Sequence, residues 1–246
     1  MTFAGKVVVV TGGSRGMGRE LVEAYAARGA HVVVASRKLD NCVAVADAVR
    51  LRHGVRALPV ACNVSHWEQC DALVDTAYAE FGRVDVLVNN AGIAPLYPGL
   101  EQVGEALFDK VIGVNLKGPF RLSALIGTRM AEGDGGSILN ISSMAAIRPD
   151  PYSLPYAAAK AGLNTLTEGM AKAFGPGVRV NAIQCGLVLT DIATAWDPKE
   201  RDQLASTLAL RRCAEPYEIV GAAMYLTGDE ASYCTGAVLR LDGGLP

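Results

Sequence analysis

The chain has 246 residues, and its 23 Lys+Arg against 25 Asp+Glu leave a formal charge of −2 with a pI near 5.9. That balance argues against a nucleic-acid binder resting on bulk positive charge. Apolar residues make up 50% and charged residues 20%, which argues against disorder; a chain this long buries roughly 70–75% of its unfolded surface, so the core needs no disulfide or metal staple.

The first residues run straight into Val7–Val10, with no basic segment and long apolar run ahead of them, so no secretory signal is expected. Lys6–Thr11 is a short apolar run ending in glycines and reads as a buried strand. Gly16–Arg28 is amphipathic and stops at Gly29, as a helix does at its C-cap. His31–Ala35 is the next strand, Asp40–Arg52 a helix, and Arg56–Ala61 a strand. His66–Phe81 reads as a helix ending at Gly82, and Val84–Val88 as a strand. One long helix is predicted over Val103–Ala131, with Gly113 and Gly118 in its middle. Ser137–Ser142 is a strand, Tyr156–Phe174 a helix, and Arg179–Gln184 a strand. Leu187–Ala214 is the least regular stretch and is expected to form a substrate lid. Pro216–Thr227 is helical, and Ala237–Leu241 closes as a strand.

Strands alternating with helices predict a parallel sheet covered on both faces. Strands buried on both sides are almost wholly apolar, as Val7–Val10 and Val32–Val34 are. With the right-handed crossover rule, this gives a doubly wound, Rossmann-like α/β fold with a seven-stranded parallel sheet and helices on both faces. With no linker or repeat, residues 1–246 are expected to form one domain. No run reaches the ~18 apolar residues a membrane-spanning helix needs. The scattered Cys42, Cys62, Cys70, Cys185, Cys213 and Cys234, with no CxxC pair, read as reduced and mostly buried thiols of a cytoplasmic protein. His31, His53 and His66 belong to no ligand pattern, so no metal is expected.

The first predicted strand runs into Thr11-Gly12-Gly13-Ser14-Arg15-Gly16-Met17-Gly18 and then a helix. Glycines there let backbone N–H groups approach a pyrophosphate, and the helix N-terminus adds positive potential. The spacing is GxxxGxG rather than GxGxxG; a glycine-rich turn without ligand is the alternative. The second strand is followed by Ser36-Arg37-Lys38, without the acid that holds a ribose 2′-hydroxyl. Arg37 suits a 2′-phosphate, with Arg15 as a second partner, so NADP(H) is expected over NAD(H). Tyr156 and Lys160 stand four residues apart on one helical face, where an ammonium lowers a phenol's pKa. Ser143 lies thirteen residues before Tyr156, Asn115 lies twenty-eight before Ser143, and Asn89-Asn90-Ala91-Gly92 follows another strand.

With these motifs in this order, and Asp242-Gly243-Gly244 at the end, the whole chain resembles the short-chain dehydrogenase/reductase family in its compact single-domain branch. The resemblance implies that Tyr156 is the proton donor in carbonyl reduction and the base in alcohol oxidation. It implies that Ser143 holds the substrate oxygen, that Lys160 binds the nicotinamide ribose and depresses the Tyr156 pKa, and that Asn115 holds a relay water. Asn115 also reads as a polar residue stabilising a helix bend, and Ser142 reads as structural. The cofactor contacts implied are Gly12, Ser14, Arg15, Gly16, Met17, Gly18, Arg37, Asn63, Val64, Asn89, Ala91, Gly92, Tyr156, Lys160, Gly186, Val188 and Thr190. Asn63 stands where the family commonly has Asp. Cys185 replaces the proline usual before Gly186, and no chemistry is assigned to it.

The expected activity is an NADP(H)-dependent oxidoreductase moving hydride between the nicotinamide and a carbonyl/alcohol carbon. The alternatives are a 3-oxoacyl-acyl-carrier-protein reductase, docking its carrier through bases such as Arg129 and Lys172, and a nucleotide-binding protein without turnover. A methyltransferase leaves the tetrad without a task, and a serine hydrolase lacks both a GxSxG setting and a matched histidine. Ala145, Ile147, Leu187, Ile192 and Trp196 are candidate substrate-side apolar residues, which also read as ordinary packing. The expected partner is a small molecule, with no nucleic acid and no membrane. The resemblance implies a homotetramer packed through Val103–Ala131 and Tyr156–Phe174 across one dyad and the last strand across another.

Overall fold

The structure is a computed structural model that describes residues 2–190 and 198–245, without the side chain of residue 200. Ile192 and Trp196 lie outside the described residues.

Seven parallel strands form the sheet: β1 (Val7–Thr11), β2 (His31–Ser36), β3 (Ala57–Ala61), β4 (Val86–Asn89), β5 (Gly136–Ser143), β6 (Val178–Cys185) and β7 (Val238–Leu241), in the order β3-β2-β1-β4-β5-β6-β7. The chain first winds outward from β1 to β3, then returns to add β4 on the other side of β1. This reversal opens a crevice above the carboxyl ends of β1 and β4. The family-type doubly wound sheet predicted from the alternation of periods is therefore the observed one.

The helices are α1 (Gly16–Ala26), α2 (Leu39–His53), α3 (Trp67–Phe81), α4 (Glu105–Ile112), α5 (Gly118–Ala131), α6 (Leu154–Phe174), α7 (Pro198–Thr207) and α8 (Val220–Thr227). Successive β1 side chains point to opposite faces, as a pleated strand requires. Val8 and Val10 join Leu21, Tyr25, Val45 and Met224 under α1, α2 and α8. Val7 and Val9 join Leu73, Val74, Leu122, Ile126 and Met170 under α3, α5 and α6. Each fully buried side chain of this kind contributes about 1.5–3 kcal/mol, so both layers hold the sheet in place. Gly82 ends α3 at φ 74, the left-handed conformation that relieves a helix C-terminus.

The long helix predicted over 103–131 is broken. A π-turn, Gly113–Lys117, separates α4 from α5. The Asn115 side chain explains the break. Its Nδ2 donates to Val111 O and to Ile93 O, both at 2.9 Å, and its Oδ1 accepts Ile93 N–H at 3.2 Å. A side chain inserted into the backbone ladder this way widens the turn. Gly113 and Gly118 let the widened turn approach Ser65 and Val64; a Cβ on Gly118 would collide with the Val64 carbonyl.

The stretch 187–214 is more regular than expected, because α7 lies within it. Its first six residues, Pro198-Lys199-Glu200-Arg201-Asp202-Gln203, carry no apolar stripe after the proline, so periodicity does not reveal the helix.

Candidate active site

The glycine loop leaves β1 and packs against the end of β4. Thr11 Oγ1 accepts Asn90 N–H at 3.0 Å and Ala91 N–H at 3.1 Å. Asn90 Nδ2 donates to Thr11 O at 2.9 Å and Gly12 O at 3.3 Å. Gly12 sits at φ +65, and a Cβ there would come within 2.9 Å of Asn90 Nδ2. A Cβ on Gly18 would drive into the Gly12 carbonyl. These glycines are therefore required by close backbone packing, which brings the N-terminus of α1 to the crevice mouth.

The crevice is a cleft of about 330 Å³. Gly12, Ser14, Arg15, Gly16, Met17 and Gly18 form one wall, and Arg37 stands between Ser36 and Lys38 at the end of β2. Asn63, Val64, Ala91 and Gly92 form the opposite wall, and Thr190 reaches over the loop. A Cβ on Gly16 would lie 3.5 Å from the Thr190 methyl carbon. Motif reasoning missed Asn90, Cys62, Ser65, Ile93, Lys110 and Val114 in this lining. Arg15, Arg37, Lys38 and Lys110 line the cleft, and no carboxylate does among the described residues. A glycine cradle open to backbone N–H groups, with a cationic rim, fits a dinucleotide carrying several phosphates.

Four of the expected contact residues also make hydrogen bonds or packing contacts within the fold. Asn89 is turned into the sheet's helix-covered face, where its Nδ2 donates to Ser123 Oγ and Asn140 Oδ1, both at 2.9 Å. Alternation along the strand explains this: Asn89 and Asn90 face opposite ways. Gly186 packs on Asp242, where a Cβ would come within 2.7 Å of the Asp242 Cα. Its glycine is accounted for by the β6–β7 contact. Val188 pairs with Ala214 and accepts Thr190 N–H at 2.8 Å. The Asn63 carbonyl oxygen is engaged by the Ser65 hydroxyl at 2.9 Å.

Beyond Gly92, the four residues of the chemical motif converge. Ser143, at the end of β5, accepts Ala145 N–H at 3.1 Å, and its hydroxyl is close enough to the Tyr156 hydroxyl to influence its titration. Tyr156 lies in the first turn of α6, with Lys160 one turn further. Lys160 Nζ donates to Ile141 O at 2.7 Å and lies 5.6 Å from the Tyr156 ring centroid. A Cβ on Gly92 would come within 3.1 Å of Asn115 Oδ1 and 3.8 Å of Lys160 Nζ, so Asn115 and Lys160 meet where Gly92 leaves room. Ser142 Oγ donates to Lys160 O at 3.5 Å, a link within the scaffold.

The electrostatics differ from expectation. Tyr156 is half-buried, and burial pushes its pKa up to about 12, against the smaller opposing pull of the Ser143 hydroxyl. The expected lowering by the Lys160 ammonium is not found; the burial penalty on the phenolate dominates. Burial instead lowers Lys160 itself from 10.5 to about 8. Cys185, paired with Ser143 across β5 and β6, has its thiol pushed up to about 12 by burial, so it is neutral at physiological pH.

A charged group buried with a depressed pKa opposes folding wherever it must carry its proton. For Lys160 the unfolded chain holds more protons between about pH 8 and pH 10.5. The cost is thus full below pH 8 and is relieved as pH rises through that window. Lys160→Met is expected to raise the melting temperature at pH 7, with the gain shrinking toward pH 10.5. Paired thermal melts across that range check this; a gain that grows with pH would overturn it.

A family model for short chain dehydrogenases matches residues 6–201. The chain is 35% identical over 247 residues to human dehydrogenase/reductase SDR family member 4, covering 99% of this chain and 88% of that one. It is 35% identical over 249 residues to the 3-oxoacyl-acyl-carrier-protein reductase of Thermotoga maritima, covering 100% and 99%. Among solved structures it superposes with a TM-score of 0.93 and 33% identity on a 7α-hydroxysteroid dehydrogenase complexed with NADH and 7-oxo glycochenodeoxycholic acid, covering 99% and 95%. By sequence, fold and the order of its motifs, this chain belongs to the short-chain dehydrogenase family, whose members are oxidoreductases that use NAD(H) or NADP(H) on alcohol and carbonyl groups.

Proposed function

We propose that this chain is an NADP(H)-dependent oxidoreductase acting on a small carbonyl or alcohol substrate. The observation that carries the reading is a cationic glycine cradle, without a carboxylate among the described residues, with Ser143, Tyr156, Lys160 and Asn115 converging beyond Gly92. The glycine loop, Arg37, Asn63, Val64, Ala91, Gly92 and Thr190 would hold the dinucleotide, with Lys160 at its nicotinamide ribose. When bound, the dinucleotide supplies or accepts the hydride.

The remaining work belongs to the protein's own groups. Tyr156 moves the proton at the substrate oxygen; its raised pKa keeps it protonated at neutral pH, the form that donates to a carbonyl. The Ser143 hydroxyl steadies the charge that develops on that oxygen. Asn115 holds the main chain at Ile93 and anchors the relay toward Lys160. Ala145, Leu187 and the exposed Ile147 would stand on the substrate side, with the described parts of 187–214 forming the lid.

The likeness to the Thermotoga reductase favours a second reading, reduction of a carrier-borne 3-oxoacyl group. Two positions weigh against it. Arg129 and Lys172 fall in the last turns of α5 and α6. Helices joining parallel strands run back down the sheet, so both residues sit at the end away from the cleft. Arg129 is also ion-paired to Asp75 at 2.8 Å. Loss of function is disfavoured by the complete tetrad. The reading carries with it a one-domain, cytoplasmic homotetramer; the six free thiols are consistent with a reducing compartment.

Fluorescence titration with NADPH, NADH and S-adenosylmethionine, followed by a turnover screen over ketones and alcohols, tests the proposal. Tighter binding of NADPH and oxidation of it by at least one ketone are expected. Preference for S-adenosylmethionine, or tight NADPH binding with no turnover across the panel, would overturn it.

A further inference from the structure

The segment that follows Gly92 is built to be stiff. Ile93-Ala94-Pro95-Leu96-Tyr97-Pro98 places a proline on either side of a Leu-Tyr pair. Each proline ring fixes its own φ and biases the residue before it toward an extended form. The segment is fastened at two points. Asn115 holds both backbone groups of Ile93. Further along, Tyr97 is 6% exposed and reaches the turn that opens α6. Its hydroxyl accepts Leu154 N–H at 2.8 Å and donates to Pro151 O at 3.0 Å.

This contact takes the place of a helix cap. The first N–H groups of a helix lack an intrahelical acceptor and are commonly met by the N-cap side chain. The N-cap residue of α6, Ser153, makes no side-chain cap hydrogen bond among the described residues. Pro155, the second residue of the helix, has no N–H to offer. Leu154, the first, is met instead by a phenol fifty-seven residues away. Asp150 completes the turn: its carboxylate accepts Tyr152 N–H at 2.7 Å and its carbonyl accepts Ser153 N–H at 3.0 Å. Tyr156 is the third residue of this helix, so the Tyr97 hydroxyl holds the turn from which Tyr156 projects.

We propose that Tyr97 is a positioning residue for proton transfer. Residues 93–97 form a strap that ties Asn115 to the first turn of α6 and sets the direction of the Tyr156 hydroxyl. The inference rests on Tyr156 being the group that moves the proton. The Pro151 carbonyl takes the one proton of the Tyr97 hydroxyl, which leaves its oxygen to accept from the helix. Without that acceptor the first turn of α6 is free to fray, and a displacement of about 1 Å at a reacting atom costs up to about 100-fold in rate. Tyr97 has no chemical step of its own; it acts through Tyr156.

The test is a double-mutant cycle of Tyr97→Phe and Tyr156→Phe, with NADPH and a ketone active in the turnover screen, slow variants being followed in single turnover. Tyr97→Phe is expected to lower kcat by about 10- to 100-fold, with KM and NADPH affinity unchanged. In the Tyr156→Phe background the same change is expected to cost less than about twofold, because the hydroxyl it positions is already gone. A purely structural role gives the same loss in both backgrounds, and that result would overturn the proposal while leaving Tyr156 as the proton donor. Unchanged kcat in Tyr97→Phe would do the same. Near-normal turnover of Tyr156→Phe would overturn the proton-donor reading and this inference with it. If Tyr97→Phe does not fold, Tyr97→4-aminophenylalanine takes its place in the cycle with the same outcomes; it keeps the ring and the donor to Pro151 O and loses the strong acceptor of Leu154 N–H. In the unsubstituted chain, the Leu154 amide is expected to resist hydrogen exchange as interior helical amides do. Exchange at the rate of a free amide would remove the clamp on which the proposal stands.

Discussion

Tyr156→Phe is expected to cut turnover by about 10²–10⁴-fold, the range a positioned proton donor contributes, while NADPH affinity is unchanged. The substitution removes one hydroxyl from a site where Ser143 keeps its bond from Ala145 N–H at 3.1 Å. The fold therefore loses at most one hydrogen bond, worth about 1 kcal/mol. The glycine loop and Arg37, which would hold the dinucleotide, are untouched by the change, so binding and chemistry separate at this position. Steady-state kinetics beside a fluorescence titration measure both quantities. Turnover near that of the unsubstituted chain would mean that another group moves the proton.

The second large effect is on cofactor choice. Arg37→Ala is expected to weaken NADPH by about 10–150-fold, since a charge-assisted hydrogen bond contributes about 1.5–3 kcal/mol, and to leave NADH nearly untouched. Arg37 is exposed at the end of β2, on the cleft rim, and has no carboxylate partner among the described residues. Its charge is thus available to a 2′-phosphate rather than committed to the fold. The loss shrinks at high salt, because an exposed charge is screened. Equal losses for both dinucleotides would show that Arg37 does not read that phosphate.

Much of the scaffold follows from local pattern. Val7–Val10 is apolar on every residue because both faces of β1 are covered, and the sequence alone predicts that. Tyr156 and Lys160 share a face because a helix turn is close to four residues long. The glycine loop is legible because only residues without Cβ permit the contacts found at Gly12 and Gly18. Neighbouring features were not legible for equally physical reasons. Asn89 and Asn90 are identical in sequence terms, and only the pleat of β4 decides which faces the cleft. The bend at Asn115 is read from the sequence, but its partner Ile93, twenty-two residues away, is not.

The sequence by itself determined the strand–helix alternation, the glycine turn and the order of the chemical motif, since each follows from bonding and spacing along a few neighbouring residues. Only the tertiary structure decided the direction of the Tyr156 and Lys160 pKa shifts and the side of the sheet each asparagine serves. Those outcomes depend on burial and on atoms brought together from distant parts of the chain, and one-dimensional spacing does not encode either.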